Sequence, residues 1–370
     1  MHIHTHLLAI AFTSLPFLPA FAQEAESKQG VPPIPADSIQ TDSVPAKKKV
    51  SFLTRLVKLV DFNNPDTRYI TPNLYNFTFM LNTTSSYEYY RIGGNDQDNN
   101  QSISFAPTPS WKIGAYVGWR WIFLGWSIDV ADLFGSKNKI KKTEYNLSLY
   151  SAKLGGDFYY LRSGNGFRIR DFSGFEKPAG VTGSQDFDGL KVNMIGVNAY
   201  YIFNNRRFSY PAAFSQSTNQ RKSAGSFLTG FSYSTHKLSF RSEELPQWVL
   251  SQMDESMFFE HIRYNDYSFN FGYAYNWVFA KNCLACLSVT PAVAYKLADI
   301  DSKDSDYNQN YRSINFDVIT RAAVVYNNAK YYVGASLLAH TYDYHKKRFW
   351  VNNTYGLLQI YVGFNFSKKR

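Results

Sequence analysis

The fold is decided by residues 265–277, which read Asn265-Asp266-Tyr267-Ser268-Phe269-Asn270-Phe271-Gly272-Tyr273-Ala274-Tyr275-Asn276-Trp277. Aromatic side chains occupy every odd position from 267 to 277, and small or polar side chains occupy the even positions. Because successive side chains of a β-strand point to opposite faces, this period of two predicts a strand with one apolar and one polar face. Residues 314–324 and 355–366 repeat the pattern, which indicates a larger sheet.

The composition of the whole chain narrows the class of protein. The 370 residues are 18% aromatic and 18% charged, with a net charge of +10. After residue 22 no run reaches the roughly 18 apolar residues that a membrane-spanning helix needs. The aromatic content excludes a disordered chain, and two cysteines exclude a fold held by disulfides. A β-rich protein remains, either soluble or a membrane β-barrel.

Residues 1–71 divide into three segments before the barrel. Residues 1–22 are predicted to be a signal peptide cleaved after Ala22, because an apolar run ends in a small-x-small site. Residues 23–50 carry four prolines among polar residues, which predicts a disordered periplasmic linker. Residues 51–71 are predicted to form a short amphipathic helix over 51–61 and a lead-in. The barrel is expected to occupy residues 72–370.

Three features favour a transmembrane barrel over a soluble one. The polar strand faces carry Asn, Ser, Thr, Gly, Asp and Tyr, whereas lysines gather in loops. Short and long connections alternate, as periplasmic turns and outer loops do in outer-membrane barrels. Tyr and Trp cluster near strand ends, where interfacial girdles are expected. We therefore predict an all-β fold, an antiparallel up-and-down β-barrel in the outer membrane of a Gram-negative cell, closed because lipid leaves no backbone edge unpaired.

The number of strands follows from the position of the two termini. Both are expected in the periplasm, which makes the number even. Fourteen strands are predicted, or twelve if the two weakest, 207–216 and 237–242, are lost. The predicted strands are 72–91, 101–119, 122–131, 144–151, 154–163, 189–203, 207–216, 223–235, 237–242, 264–277, 283–297, 311–325, 330–342 and 354–367.

Several short stretches together resemble a known family. They are YITPNLYN (69–76), SYEYY (86–90), GWRWIFLG (118–125), FNNRRFSYPAAF (203–214) and QRKSAGS (220–226). In combination they resemble the family catalogued as domain of unknown function 4421, exported proteins of Bacteroidota, over most of the chain after residue 50. The resemblance implies export and a β-barrel. Because the family's function is unassigned, it implies no activity and no functional residues.

Strand parity assigns a set of charged side chains to the barrel interior. They are Glu88, Lys112, Arg120, Asp129, Glu144, Asp157, Lys296, Asp317, Arg321 and His340. One hypothesis is a polar pore or binding cavity whose selectivity these residues set. The other is a structural network, since buried charges must be paired. A barrel of this size need not be filled by side chains alone, so a cavity or a plug is also expected.

The leading functional hypothesis from the sequence is a passive channel or small-ligand conduit. The first alternative is a closed structural or interaction barrel that binds a surface partner through the long outer loops 163–188 and 242–263. The second is a lipid-modifying hydrolase, which the sequence disfavours. Ser336 and His340 share a strand face but lie about 13 Å apart, and His261 is assigned to a loop with no evident serine. No enzyme is therefore expected.

Two further motifs and the expected partners complete the prediction. Cys283 and Cys286 begin a strand, which favours packed thiols and leaves a disulfide open. Residues 245–258 have apolar positions at helical spacing, which indicates a loop helix that is either a lid or packed on the rim. Lys137, Lys139, Lys141 and Lys142 indicate either contacts with lipopolysaccharide phosphates or a solvated loop.

A metal site is a weak prediction. Asp299, Asp301, Asp304 and Asp306 crowd one outer loop but lack the glycine and distal glutamate of an EF-hand. A solvated acidic tip is favoured, with no metal and no cofactor. Expected partners are outer-membrane lipid, lipopolysaccharide and the barrel-assembly machinery, with a periplasmic partner of residues 23–60 left open. The positive charge is spread over loops and linker, which argues against nucleic acid.

Overall fold

The structure, a computed structural model, describes residues 65–95, 100–119, 122–133, 142–164, 166–181, 184–301, 309–345 and 349–369. The predicted signal peptide, linker and 51–61 helix lie outside these residues. Among the residues described, no helix is long and apolar enough to cross a membrane.

The described chain is built almost wholly of antiparallel strands. They are β1 (Ile70–Pro72), β2 (Tyr75–Asn95), β3 (Asn100–Pro107), β4 (Ser110–Trp119), β5 (Ile122–Asp129), β6 (Lys142–Tyr150), β7 (Leu154–Ser163), β8 (Phe167–Ser173), β9 (Gln185–Phe187), β10 (Leu190–Ile202), β11 (Thr218–Gln220), β12 (Ala224–Phe240), β13 (His261–Ala280), β14 (Cys283–Asp301), β15 (Gln309–Asn327), β16 (Tyr331–His345) and β17 (Phe349–Lys368). The short helices are α1 (Val130–Leu133), α2 (Tyr210–Phe214) and α3 (Gln247–Leu250), with 3₁₀ turns at Ser242–Glu244 and Glu255–Met257.

Twelve of these strands form the barrel wall, which is the lower of the two predicted numbers. Their order is β5-β4-β2-β17-β16-β15-β14-β13-β12-β10-β7-β6. The last strand pairs with the first long one, since Lys368 lies opposite Tyr75. We call this end of the barrel the turn end, and the opposite end, which carries the long connections around 164–189 and 241–260, the loop end. Side chains of β6 and β7 contact β2, β4, β15, β16 and β17 across the interior, so the sheet curves back on itself.

The wall has the outward face of a membrane barrel. Phe231, Phe269, Val293 and Phe316 form one lateral row across β12 to β15, each more than half exposed. Towards the loop end lies a row of exposed tyrosines, Tyr233, Tyr267 and Tyr295, and towards the turn end lie Tyr275 and Trp277. The eleven residues from Tyr267 to Trp277 span about 25 Å along the normal of a barrel with tilted strands, which matches the apolar band of outer-membrane barrels.

Two predicted strands take other forms. Residues 207–216 do not form a strand, because Pro211 lies at the start of α2 and the side chain of Ser209 caps it by accepting from the backbone N–H of Ala212. Residues 237–242 are not separate either, since β12 continues through the predicted turn at Thr235 and His236 to Phe240.

Beyond the tyrosine row, the loop end is closed by an apolar cap. Strand β2 extends past the apolar band and pairs with β3. Strand β3 pairs in turn with β8, and β8 pairs with β9. The predicted loop helix is the short α3, and its Val249 is fully buried. Aromatic rings interlock beneath it, with centroids 5.3 Å apart for Phe105–Phe187 and 5.1 Å for Phe240–Phe259. We call this buried cluster, which also contains Leu245, Met253 and Met257, the outer cap.

The lead-in is anchored at the turn end. Strand β1 pairs with β11, and the backbone N–H of Asp66 donates to the carbonyl of Arg206 at 2.8 Å. The side chain of Arg68 donates to the Asp66 carboxylate, and this hydrogen bond lowers the pKa of Asp66 to about 2.

Candidate functional site

The structure brings most of the predicted lumen residues into the interior. Seven are buried, namely Glu88, Glu144, Asp157, Lys296, Asp317, Arg321 and His340. Lys112 and Asp129 are half-buried register partners on β4 and β5. Arg120 lies outside the described residues. Whether any of these residues sets ion selectivity stays a prediction.

The deepest ion pair joins β15 to the opposite wall. Arg321 contacts the Asp157 carboxylate on β7, and both side chains are almost fully buried. Asn198 and Ser148 donate to the same carboxylate at 3.0 and 2.7 Å. The guanidinium also lies over the ring of Tyr200, 4.9 Å from its centroid. Asp157 is therefore neutralised and hydrogen-bonded, as a buried charge must be.

A second ionic cluster lies nearer the loop end, around a fully buried lysine. Lys296 Nζ lies 2.9 Å from Asp266 Oδ2 and 2.8 Å from Asp317 Oδ1. The ammonium group also lies 5.6 Å from the ring centroid of Tyr264 and 5.5 Å from that of Tyr342. Carboxylates and ring faces thus take the place of water around this cation.

A third cluster joins β2, β4, β6 and β17. Lys142 Nζ lies 2.7 Å from Glu88 Oε1 and 3.3 Å from Glu144 Oε2. Lys112 approaches the same Glu144 oxygen at 3.6 Å, and the hydroxyls of Ser86 and Tyr355 each donate to Glu144 at 2.8 Å. Together the three clusters hold five carboxylates and four cations, so the interior is close to neutral.

Aromatic and amide side chains fill the space between the clusters. Tyr159 of β7 hydrogen-bonds Tyr342 of β16 across the lumen, and His236 stacks on Tyr264 with ring centroids 4.4 Å apart. A cavity of about 10 Å³ lies beside Tyr159, Asp317 and His340. Such a volume is about the least that can hold one water molecule, far less than a solute needs.

The turn end is closed by the chain itself. Residues 208–216, which we call the inner plug, fold into the lumen with Phe208, Tyr210, Ala212 and Ala213 buried. The hydroxyl of Tyr210 donates to Ser288 at 2.6 Å, and Gln216 Nε2 donates to the hydroxyl of Tyr361 at 2.7 Å. The plug is thus hydrogen-bonded to the wall at two places, β14 and β17.

Sequence reasoning missed several interior residues for identifiable reasons. Asp266 carried the right signal, because it lies on the polar face of the 265–277 strand. Lys142 was assigned to a loop, although it begins β6. The inner plug carried the signals Ser209 and Pro211 of a helix start, but its partial alternation resembled a strand.

On the outside of the barrel, the structure corrects the prediction for His261. This residue begins β13 and lies directly opposite Ser239 of β12. Ser239 Oγ lies 2.9 Å from His261 Nδ1, and the pair is exposed. The register partner of His261 on β14 is Asp301. If β12 had been predicted to continue to residue 240, the register of the hairpin would have placed His261 opposite Ser239.

The remaining candidates are the cysteines and the acidic loop. Cys283 and Cys286 are free thiols, and Cys286 is buried in the lumen. Asp304 and Asp306 lie outside the described residues, as do the side chains of Asp299 and Asp301. In the part of the chain that is described, no group of three or more His, Cys, Asp or Glu side chains is placed to hold a metal ion.

Comparisons with known proteins concern the family and the fold. The family described as Domain of unknown function (DUF4421) matches residues 64–366. No curated protein matches the chain. The outer membrane protease OmpT from Escherichia coli matches with 9% identity, covering 80% of this chain and 98% of that chain at a TM-score of 0.37.

Two further solved structures of outer-membrane proteins are also similar to this chain. The translocator domain of the autotransporter NalP from Neisseria meningitidis has 10% identity, covers 79% of this chain and 89% of that chain, and has a TM-score of 0.29. The outer membrane protein OprG from Pseudomonas aeruginosa has 9% identity, with 80% and 98% covered and a TM-score of 0.23. At such identities and TM-scores these proteins carry no argument about activity here.

Proposed function

The chain belongs to the DUF4421 family, and we propose that this member is a closed outer-membrane β-barrel that acts through its outward-facing surface and does not conduct solutes. The observation that carries the proposal is the filled lumen. The outer cap, the three ionic clusters and the inner plug follow one another along the barrel axis. The Arg321–Asp157 pair and the Tyr159–Tyr342 hydrogen bond join opposite walls, and the other contacts join nearby strands, so a solute would have to break several of them to pass.

Burial of the lumen charges favours closure over gating. A channel gains from a lumen lined with hydrated charges, where ions bind weakly enough to leave. Here Lys296 and Arg321 are buried with relative exposures of 0% and 1%, and their partners are carboxylates of the same wall or the opposite one. Separating such desolvated pairs costs several kcal/mol each, which makes a transient pore rare.

The two native thiols offer a test that needs no introduced cysteine. A charged, membrane-impermeant methanethiosulfonate reagent is applied to two refolded variants. In Cys283→Ser only Cys286 can react, and in Cys286→Ser only Cys283 can react. We expect Cys283, half-buried beside the 281–282 turn, to react and Cys286 in the lumen to stay unmodified until urea unfolds the barrel. Rapid modification of Cys286 in the folded barrel would reject closure.

Planar-bilayer recording provides the second measurement. The full chain and a chain lacking residues 1–61 are compared, because the N-terminal segment is a separate candidate plug. We expect both to be electrically silent while remaining heat-modifiable on gels. Resolvable steps from the full chain would contradict the proposal, and steps from the truncated chain alone would assign closure to the N-terminal segment instead of the lumen.

A second candidate function is a serine hydrolase of the outer wall, favoured by the 2.9 Å contact between Ser239 and His261. In it Ser239 Oγ attacks an ester carbonyl, His261 takes the hydroxyl proton and returns it to the leaving alcohol, and water then hydrolyses the acyl-serine. Asp301 of β14 is the register partner of His261.

An active-site probe decides this second candidate. A fluorophosphonate should label the refolded full chain, and Ser239→Ala and His261→Ala should abolish labelling. Ser85→Ala, at another half-buried serine of the wall, is the matched control and should leave labelling unchanged. An unlabelled full chain would reject the hydrolase and leave the closed barrel untouched.

A further inference from the structure

A basic patch lies on the outside of the barrel beyond the tyrosine row. Arg162, Lys237 and Arg263 fall in one lateral row across β7, β12 and β13, with Asn193 of β10 between the first two. Lys191 lies two residues further towards the loop end, opposite Ser239. We call Arg162, Lys191, Lys237 and Arg263 the basic patch, and all four side chains are exposed.

The size of the basic patch follows from strand geometry. Neighbouring strands lie about 4.8 Å apart, and two residues along a strand span about 6.7 Å. The four cations therefore occupy an area of about 15 by 7 Å. Among the side chains that the structure describes, no carboxylate forms an ion pair with any of them. Four cations this close repel one another unless an anion lies between them.

The height of the basic patch identifies the kind of anion. Lys237 and Arg263 lie four residues beyond Tyr233 and Tyr267, which is about 10 Å along the membrane normal for tilted strands. Interfacial tyrosines mark the level of the headgroups, so the patch lies at or just above the lipid phosphates. Long Lys and Arg side chains can reach towards that level along the wall.

The wall between the tyrosines and the cations is polar and hydrogen-bonded. Thr235 Oγ1 donates to Asn265 Oδ1 at 2.8 Å and lies 3.0 Å from the hydroxyl of Tyr233. A lipid lying along β12 would thus meet apolar side chains at Phe231, hydroxyl and amide groups next, and cations last. In the same order, these three surfaces match the acyl chains, the sugar backbone and the phosphates of a glycolipid.

We propose that the basic patch binds the phosphate groups of a glycolipid in the outer leaflet, of the lipopolysaccharide type. The inference rests on the proposed function, because it assigns a partner to the outward surface and needs the loop end to face outward. The next residue of the lateral row is Asp299 on β14, the register partner of Arg263, so the patch ends at β13 and is confined to one side. The lipid would therefore bind at one place on the circumference.

The test measures binding of purified bisphosphorylated rough-type lipopolysaccharide to the refolded full chain in detergent. The test variant is Lys191→Gln/Lys237→Gln/Arg263→Gln, and the matched control is Arg221→Gln/Lys281→Gln/Lys330→Gln, which removes the same charge near the turn end. We expect the test variant to bind about tenfold or more weakly, since three phosphate contacts are lost, and the control to bind like the parent.

Two further ligands separate the sources of the phosphate. Dephosphorylated lipopolysaccharide should lose most of the affinity, and inorganic phosphate should compete only at millimolar concentrations. Equal binding by the two triple variants would overturn the proposal, and so would equal binding of the dephosphorylated lipid. Heat-modifiability of each variant shows that it is folded. Because this readout is binding, it stays separate from the conductance and thiol tests of closure.

Discussion

The guanidinium group of Arg321 is almost fully buried in the lumen, where Asp157 neutralises its charge and the ring of Tyr200 covers it. Such a pair contributes little compared with apolar side chains of the same size, but breaking it leaves one charge buried and alone. This asymmetry gives a prediction that distinguishes a structural ion pair from a hydrated pore residue.

Arg321→Met should lower the free energy of unfolding by about 3–5 kcal/mol, because Asp157 then stays buried without a counter-charge. Asp157→Asn/Arg321→Met should recover a large part of that loss. Urea titrations in micelles, followed by tryptophan fluorescence, measure both. Arg206→Met, at an exposed position of the turn end, is the control. A single-variant loss no greater than that of the control would mean that water reaches Asp157.

At the scale of the strand, glycines opposite tyrosines shape the interior. Gly196 of β10 is the register partner of Tyr159 on β7, and a Cβ atom at Gly196 would overlap the Tyr159 ring. Gly155–Tyr200, Gly334–Tyr361 and Gly363–Tyr332 repeat the arrangement. The absent side chain lets each ring lie flat on the neighbouring strand, so small residues in the polar face are part of the packing.

Gly196→Ala should therefore cost about 1–3 kcal/mol, as overpacking in a filled interior does, and it should displace Tyr159 from its hydrogen bond with Tyr342. Gly356→Ala is the matched control, because its nearest neighbour would lie 3.5 Å from the new Cβ. The control should change stability by less than about 1 kcal/mol. Thermal unfolding by circular dichroism in micelles compares the two, and equal effects would contradict the packing argument.

Period-two reasoning predicted where the wall strands run inside the membrane but not where they end. Within the apolar band, lipid and lumen impose opposite polarity on alternate residues, so Tyr267 and Asp266 show a clear alternation of apolar and polar side chains. Beyond the tyrosine row both faces are packed or polar, and β12 continues past His236 without that contrast. Parity placed the buried charges, but their partners lie on strands that only the closed barrel brings together, as with Asp157 and Arg321.

For the molecule as a whole, closure is distributed over layers that are held by different forces. The outer cap rests on apolar packing, the middle clusters on ion pairs and the inner plug on both apolar packing and hydrogen bonds to the wall. The layers share few residues, so we expect one to open without the others. The proposed closure therefore does not depend on a single lid.

Val249→Asp should open the outer cap alone, because a carboxylate cannot stay in the fully buried apolar cluster around Val249. Segment 242–259 should then detach, and trypsin should cleave after the exposed Arg241. Gln247→Asp, on the outer face of the same helix, is the control and should not cause this cleavage. The barrel should nevertheless remain heat-modifiable and electrically silent, with Cys286 still unmodified. If opening the cap were enough to expose Cys286 or produce conductance, the ionic clusters and the inner plug would not be barriers, and the barrel would be a channel gated by its cap.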